Sequence, residues 1–228
     1  MANESNQSNS EIKEFFVQHG SKVLVALAII LVVVAGVVQF KDSRKAAAAE
    51  QAELLGTGLT YLYVNDKDNA LSEFESKINS GKLSGLALAK AALFAGNIKY
   101  EKSDFDGAIA LFQKSIDNAG SVALVRSAAI HGLASAKMEK ADYSAAAKLL
   151  EDFVKEFGKR TGDKEDRYQK EEPQDETPLV ADAMWKLVLL HNELGSKNKA
   201  KSVAERLVEV YGDTQPYADR AKKFLASF

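Results

Sequence analysis

The sequence predicts an all-α protein: a transmembrane helix near the N-terminus, then an α-solenoid of about four helical hairpins closed by a C-terminal capping helix. Three observations predict it. An apolar run extends unbroken from Val23 to Val38, small and bulky residues recur every 38 positions after it, and only 3 prolines interrupt 228 residues rich in Ala, Leu, Lys and Glu. The resulting boundaries are a tail over 1–22, a membrane helix over 23–40, and a repeat domain over 46–228 that carries a charged loop at 159–178.

The first element rests on uniform hydrophobicity. Between Val23 and Val38 stand twelve Val, Leu and Ile residues, three alanines and a glycine, with no polar stripe at helical spacing. At about 1.5 Å per residue the run approaches the hydrocarbon thickness of about 30 Å, and Phe40 and Lys41 reach the headgroup region. Each branched aliphatic residue favours insertion by roughly 0.3 to 0.6 kcal/mol, and no ionisable group opposes it. A buried core helix and a cleaved signal peptide are the alternatives. The first would be shorter, and the second would follow a short basic leader, whereas Glu4, Glu11 and Glu14 precede this run. Orientation is not set by charge: Lys41, Arg44 and Lys45 after the run outnumber Lys13 and Lys22 before it by one, which slightly favours a cytoplasmic C-terminal domain.

The hairpins are read from columns at the 38-residue shift. Gly58, Gly96 and Ala134 align, as do Asp66, Asp104 and Asp142, and Ala70, Ala108 and Ala146. Phe74, Phe112 and Leu150 form a further column, and Ile78, Ile116 and Val154 another. Small residues on both helices of a pair permit close approach, and the bulky ones, four apart on one face, fill the space between hairpins. The aspartates fall in the turn, where a short acceptor caps the second helix and complements its dipole. A fourth unit, Ala181 to Val208, keeps Met184, Leu187, Gly195, Ala200 and Ala204, but its turn reads Ser196-Lys197 without acid or aromatic.

Between the third and fourth units, residues 159–178 hold five basic and seven acidic side chains, Pro173 and Pro178, and no apolar period, which predicts a solvated loop. After Pro216, residues Tyr217, Ala221, Phe224, Leu225 and Phe228 share one helical face, as a helix capping a solenoid would.

Composition narrows the chemistry. A net charge of -2 provides no basic stripe for nucleic acid, and the absence of cysteine excludes disulfides and thiolate chemistry. The three histidines, His19, His131 and His191, show no metal-ligand spacing, and no phosphate loop, nucleophile elbow or dinucleotide fingerprint occurs. The expectation is a protein without catalytic residues, metal or cofactor, and without a small-molecule substrate.

Gly96-Asn97-Ile98-Lys99-Tyr100 followed by Asp104-Phe105 and Ala108 resembles the tetratricopeptide repeat, and Ala134 through Ala146 with Asp142-Tyr143 resembles it again. The resemblance implies a protein-binding groove lined by the first helix of each pair. Its positions fall on Leu55 and Leu59; on Leu93, Asn97 and Tyr100; on His131, Ser135 and Met138; and on Trp185, Leu189 and Asn192. Leu55 and Leu59 suit the core better than the groove, and Tyr100 and Trp185 equally suit packing between hairpins.

Glu14-Phe15-Phe16 and Gly20-Ser21-Lys22 lead directly into the apolar run, and an alanine-rich helix follows Lys45. That order resembles the bacterial inner-membrane family of tetratricopeptide-like ancillary subunits of the SecYEG translocon. The chain departs from it through the insertion at 159–178 and through Gln39-Phe40, where a tryptophan often follows the helix. The resemblance implies a cytoplasmic N-terminus, a periplasmic repeat domain, and partners among the Sec translocon, a periplasmic chaperone and unfolded client segments. A cell-envelope assembly or division scaffold using the same groove stands as the alternative.

Overall fold

The computed structural model describes residues 39, 41–43, 45–162, 173–212 and 216–228. The expected membrane helix at 23–40 lies outside the described residues save Gln39, and among the described residues no helix is long and apolar enough to cross a membrane. The chain divides into two units, residues 1–50 and 51–228. In the first, the described residues are helical and exposed.

Helix is the regular secondary structure of the second unit among its described residues. α1 covers 51–63, α2 Lys67–Asn79, α3 Gly85–Glu101, α4 Phe105–Asn118, α5 Ala123–Glu139, α6 Tyr143–Phe157, α7 Val180–Glu193, α8 Lys197–Tyr211 and α9 Pro216–Leu225. Each helix packs on the next, giving the four expected hairpins and the cap. Among helices not consecutive in the chain, α3 approaches α5, α7 approaches α9, and side chains of α5 and α7 meet, so odd-numbered helices lie beside one another along one side of the stack.

The columns become the core. Ala70, Ala108 and Ala146 are fully buried, and Phe74, Phe112 and Leu150 beside them are 0 to 1% exposed. A Cβ added at Gly58 would stand 2.5 Å from the Phe74 ring, and one at Gly96 2.9 Å from the Phe112 ring. The glycine is thus the space into which the phenylalanine of the same hairpin fits. In the third hairpin both partners change together, to Ala134 and Leu150, and both are buried. Ile78, Ile116 and Val154 are only half-buried, at the margins of these clusters.

Every turn within a hairpin has one geometry. Asn65, Ser103, Ala141 and Gly195 adopt positive φ of 58 to 69°. The next residue's N–H reaches back five positions, as in Asp104 to the Lys99 carbonyl and Ser196 to the His191 carbonyl, which ends the first helix with its last carbonyls satisfied. That same residue then begins the second helix. The carboxylates of Asp66 and Asp104 accept from the Asn69 and Gly107 N–H groups, as expected of caps. Asp142 makes no such cap bond and accepts instead from the Lys137 ammonium at 2.8 Å.

The charged insertion is anchored at both ends. Asp175 accepts the Lys159 and Arg160 backbone N–H groups at 2.8 and 3.1 Å and the hydroxyl of Tyr211 on α8. Burial first, and the hydrogen bond to Asp175 second, push the Tyr211 phenol well above its ordinary range. The Glu176 N–H donates to the Phe157 carbonyl at 3.0 Å, and Ser127 and Thr177 hydroxyls meet, buried, at 3.1 Å. Residues 159–162 and 173–178 therefore form a closed neck, a fixity that their charged composition does not announce.

Candidate functional site

Burial sorts the eleven positions that the repeat resemblance singled out. Leu55 and Leu93 are core, 5 and 8% exposed. Leu59 and Leu189, at 39 and 42%, lie open on α1 and α7, and Asn97 and Asn192 are exposed on α3 and α7. Helical periodicity puts Leu93, Asn97 and Tyr100 on one face of α3, and Trp185, Leu189 and Asn192 on one face of α7.

The aromatic members are engaged with neighbours. Tyr100 donates its hydroxyl to Glu139 of α5 at 3.2 Å and meets Phe105 edge-on at 5.5 Å between centroids. Burial first, then the Glu139 charge, raises its pKa. Trp185 stands edge-on to Phe224 of α9, 6.4 Å away, so it fastens the cap. Met138 is half-buried against the C-terminal core.

His131 and Ser135 enter a polar cluster with two residues that column alignment missed, Asp182 and Lys186 of α7. His131 Nε2 lies 2.5 Å from Asp182 Oδ2 and 3.0 Å from Lys186 Nζ. Lys186 donates to Ser135 Oγ at 2.8 Å and stands 3.3 Å from Asp182. The Ser135 hydroxyl in turn donates to the His131 carbonyl at 2.9 Å. Burial first, then the Asp182 charge, raises the phenol of Tyr217 on α9 above its ordinary range. Two i,i+4 polar pairs, His131/Ser135 and Asp182/Lys186, thus face each other across α5 and α7. The insertion displaced the fourth unit from the 38-residue register, which hid the pairing from the columns.

Electrostatics bind this cluster tightly. Burial alone would raise the Asp182 carboxyl, but the His131 hydrogen bond and the Lys186 charge outweigh it and hold the group down to about 2. Burial lowers the Lys186 ammonium, with Asp182 opposing. Ser135 lies inside α5, where the surrounding backbone N–H groups are taken by the helix, so the donor beside its hydroxyl is the Lys186 ammonium rather than a converging set of backbone N–H groups. The arrangement ties α5 to α7, and the face beside it offers exposed Leu and Asn side chains to a partner.

The likenesses to known proteins agree with this geometry. Residues 13–165 match the tetratricopeptide repeat-like domain family, and residues 182–214 match the tetratricopeptide repeat. No curated protein matches the chain. Among solved structures, YrrB, a tetratricopeptide repeat protein described as having an unusual peptide-binding site, superposes with a TM-score of 0.56 at 13% identity, over 76% of this chain and 74% of that one. A tetratricopeptide repeat protein from Parabacteroides merdae gives 0.58 at 14% identity, over 77% of this chain and 58% of that one. MamA gives 0.54 at 16%, over 78 and 85%. The turn geometry, the alanine and phenylalanine columns and a family match over residues 13–165 of 228 lead to one assignment: the chain belongs to the tetratricopeptide repeat-like domain family.

Proposed function

We propose that this chain is a membrane-anchored scaffold that binds proteins along its odd-numbered helices, beside the Sec translocon, where it links the translocon to periplasmic chaperones and assists the folding of emerging proteins. The observation that carries the binding role is the open face itself. Leu59, Asn97, Leu189 and Asn192 stay exposed on α1, α3 and α7, while the core is filled by other residues of the same helices. Exposed leucines beside amides suit an extended or helical segment with apolar side chains, held by packing and by side-chain hydrogen bonds. The peptide-binding site described for YrrB supports such a use of the fold.

The anchor and the periplasmic placement rest on the apolar run Val23 to Val38 and on the order of motifs around it. Alkaline phosphatase fused after Phe228 is expected to be active. A silent phosphatase together with a fluorescent cytoplasmic fusion would overturn the placement. Photocrosslinking residues at Asn97 and Asn192 are expected to capture translocon subunits, a chaperone or emerging chains. Capture of a single envelope-assembly or division protein instead would transfer the scaffold to that machinery, and no capture at either position would refute binding on this face.

A further inference from the structure

A stack of helical hairpins has two edges, one made by the turns inside hairpins and one by the loops between them. The turn edge is ionic. Asp66, Asp104 and Asp142 stand in the turns, and the pairs Lys102 with Asp68 and Lys140 with Asp106, the latter at 2.7 Å, lie beside them. The loop edge differs: its first two loops, 80–84 and 119–122, hold no carboxylate and a single lysine, Lys82. Leu86 and Leu124, the second residues of α3 and α5, recur there at the 38-residue shift. Both are exposed, Leu124 at 65%, and so is Val122. Packing does not account for the recurrence, because Leu83 and Val125 next to these positions already fill the core.

Exposed aliphatic side chains gathered without acids suit a lipid interface, where they leave water and a lysine meets anionic headgroups. Hydrated ion pairs like those of the turn edge are kept out of such an interface. The chain also enters the repeat domain at the loop edge. Gln51 opens α1, and its side-chain amide donates to the Lys82 carbonyl and accepts the Ser84 N–H, each at 2.9 Å. Gln51 is eleven residues past Phe40, where the apolar run closes, so at most about 40 Å of chain separates this edge from the end of the run. The turn edge lies about 20 Å further along α1. The third loop is a different surface, because it holds the charged insertion, with Lys159 against Glu176 and Arg160 against Asp175.

We propose that the loop edge of the first two joints, Leu86, Val122 and Leu124 with Lys82, rests on the surface of the bilayer that holds the anchor. The inference builds on the membrane anchor of the proposed function. Three side chains are too little apolar surface to hold a free domain on lipid, but a short tether supplies the effective concentration at which a weak contact persists. With this edge on the headgroups, α3 and α5 stand with their N-terminal ends toward lipid. The face bearing Asn97 then opens along the membrane rather than away from it.

The chain has no cysteine, so single spin labels can be placed without interference. In full-length protein reconstituted into vesicles of phosphatidylcholine and phosphatidylglycerol, a label at Ser121→Cys reports the loop edge and one at Ser144→Cys the turn edge, both at exposed positions. The ratio of collisions with lipid-soluble oxygen to collisions with a water-soluble nickel chelate is expected to be about threefold or more higher at Ser121 than at Ser144. Adding Leu86→Ser, Val122→Ser and Leu124→Ser, all at exposed positions, should bring the two ratios together. Lys82→Glu should narrow the difference more in these vesicles than in phosphatidylcholine alone. Protein that floats with the vesicles while both labels give equal ratios overturns the contact and leaves the anchor standing. Protein that does not float overturns the anchor and the contact together. A Ser121 label shielded from both reagents marks a protein neighbour and overturns the lipid contact, as does a ratio unmoved by the triple serine variant.

Discussion

The ring of Phe112 occupies the place where a Cβ on Gly96 would stand, 2.9 Å away, and the same ring lies 2.7 Å from the corresponding position on Gly132 of the next hairpin. One side chain therefore sets the approach of α4 to α3 and of the second hairpin to the third. Gly96→Ala gains about 1 kcal/mol of helix propensity but forces this contact, at about 1 to 3 kcal/mol, and the clash falls on a ring fixed from both sides. A net destabilisation of up to about 2 kcal/mol is expected in urea denaturation of the repeat domain. Combining it with Phe112→Leu copies the native Ala134 and Leu150 pair. The double variant should be more stable than the sum of the single losses by about 0.5 to 1 kcal/mol. Strict additivity would show that the two positions do not share one space.

The turns lend themselves to a second test. Ala141 sits at φ 58°, where an L side chain crowds its own backbone, and the equivalent position in the fourth hairpin is Gly195 at φ 69°. Ala141→Gly should stabilise the domain by about 0.5 to 1 kcal/mol despite the greater freedom it gives the unfolded chain, and Gly195→Ala should cost a similar amount. Thermal denaturation of both variants checks the opposite signs together. A stabilising Gly195→Ala would contradict the turn geometry.

These two relationships differ in how far sequence revealed them. The columns that align Gly96 with Gly58, and Phe112 with Phe74, report side-chain volume, so periodicity found them directly. Positive φ at Ser103 and Ala141 is a backbone property imposed by the turn, and neither residue type signals it. Asp142 shows the limit from the other side: it occupies the cap column and accepts from Lys137 as Asp104 does from Lys99, yet only Asp104 also caps its helix. The pairing of His131 with Asp182 spans 51 residues, across an insertion that breaks the period, so no column could join them. The column of Trp185 suits groove and inter-hairpin packing alike, whereas the ring that engages it, Phe224, belongs to an element outside the repeat register.

Asp182 makes stability depend on pH in strong acid. Its carboxyl, held at about 2 in the folded chain against 3.8 as the ordinary value, releases its proton more readily folded than unfolded. The contribution, about 2 kcal/mol from the shift, is fully present above about pH 4 and is lost as pH falls towards 2. Asp182→Asn should flatten the stability profile in that window. At neutral pH it should cost more than the shift alone, since Lys186 and His131 are left half-buried without their anion. Denaturation midpoints of the two proteins, followed from neutral pH downward, measure both effects.

The neck at the base of the insertion depends on Asp175, which receives two backbone N–H groups and the Tyr211 hydroxyl. Asp175→Ala leaves these donors unmatched and frees Arg160, whose guanidinium lies 5.6 Å above the Tyr211 ring. A loss of about 2 to 3 kcal/mol is expected, with Asp175→Asn losing less because its amide oxygen still accepts. Hydrogen exchange should accelerate at Lys159, Arg160 and Glu176 while α3 and α4 remain protected. An effect confined to global stability, with no local increase at the neck, would refute the anchoring role.

Binding and folding can be separated on the odd-numbered helices. Leu93 is 8% exposed within the core, and Trp185 holds α9 through Phe224, so Leu93→Ala and Trp185→Ala should lower stability by about 2 to 4 kcal/mol. Asn97 and Leu189 are exposed and make none of those contacts. Asn97→Ala and Leu189→Ala should leave stability within about 0.5 kcal/mol, because surface truncation removes little from the folded state. Their cost should appear instead as weaker partner capture from a crosslinker at Asn192, since loss of contacts at a fixed interface shows mainly in dissociation. If the two stable variants capture as well as the parent chain while only the destabilised ones fail, partner recognition does not use these positions, and the binding surface lies away from the odd-numbered helices.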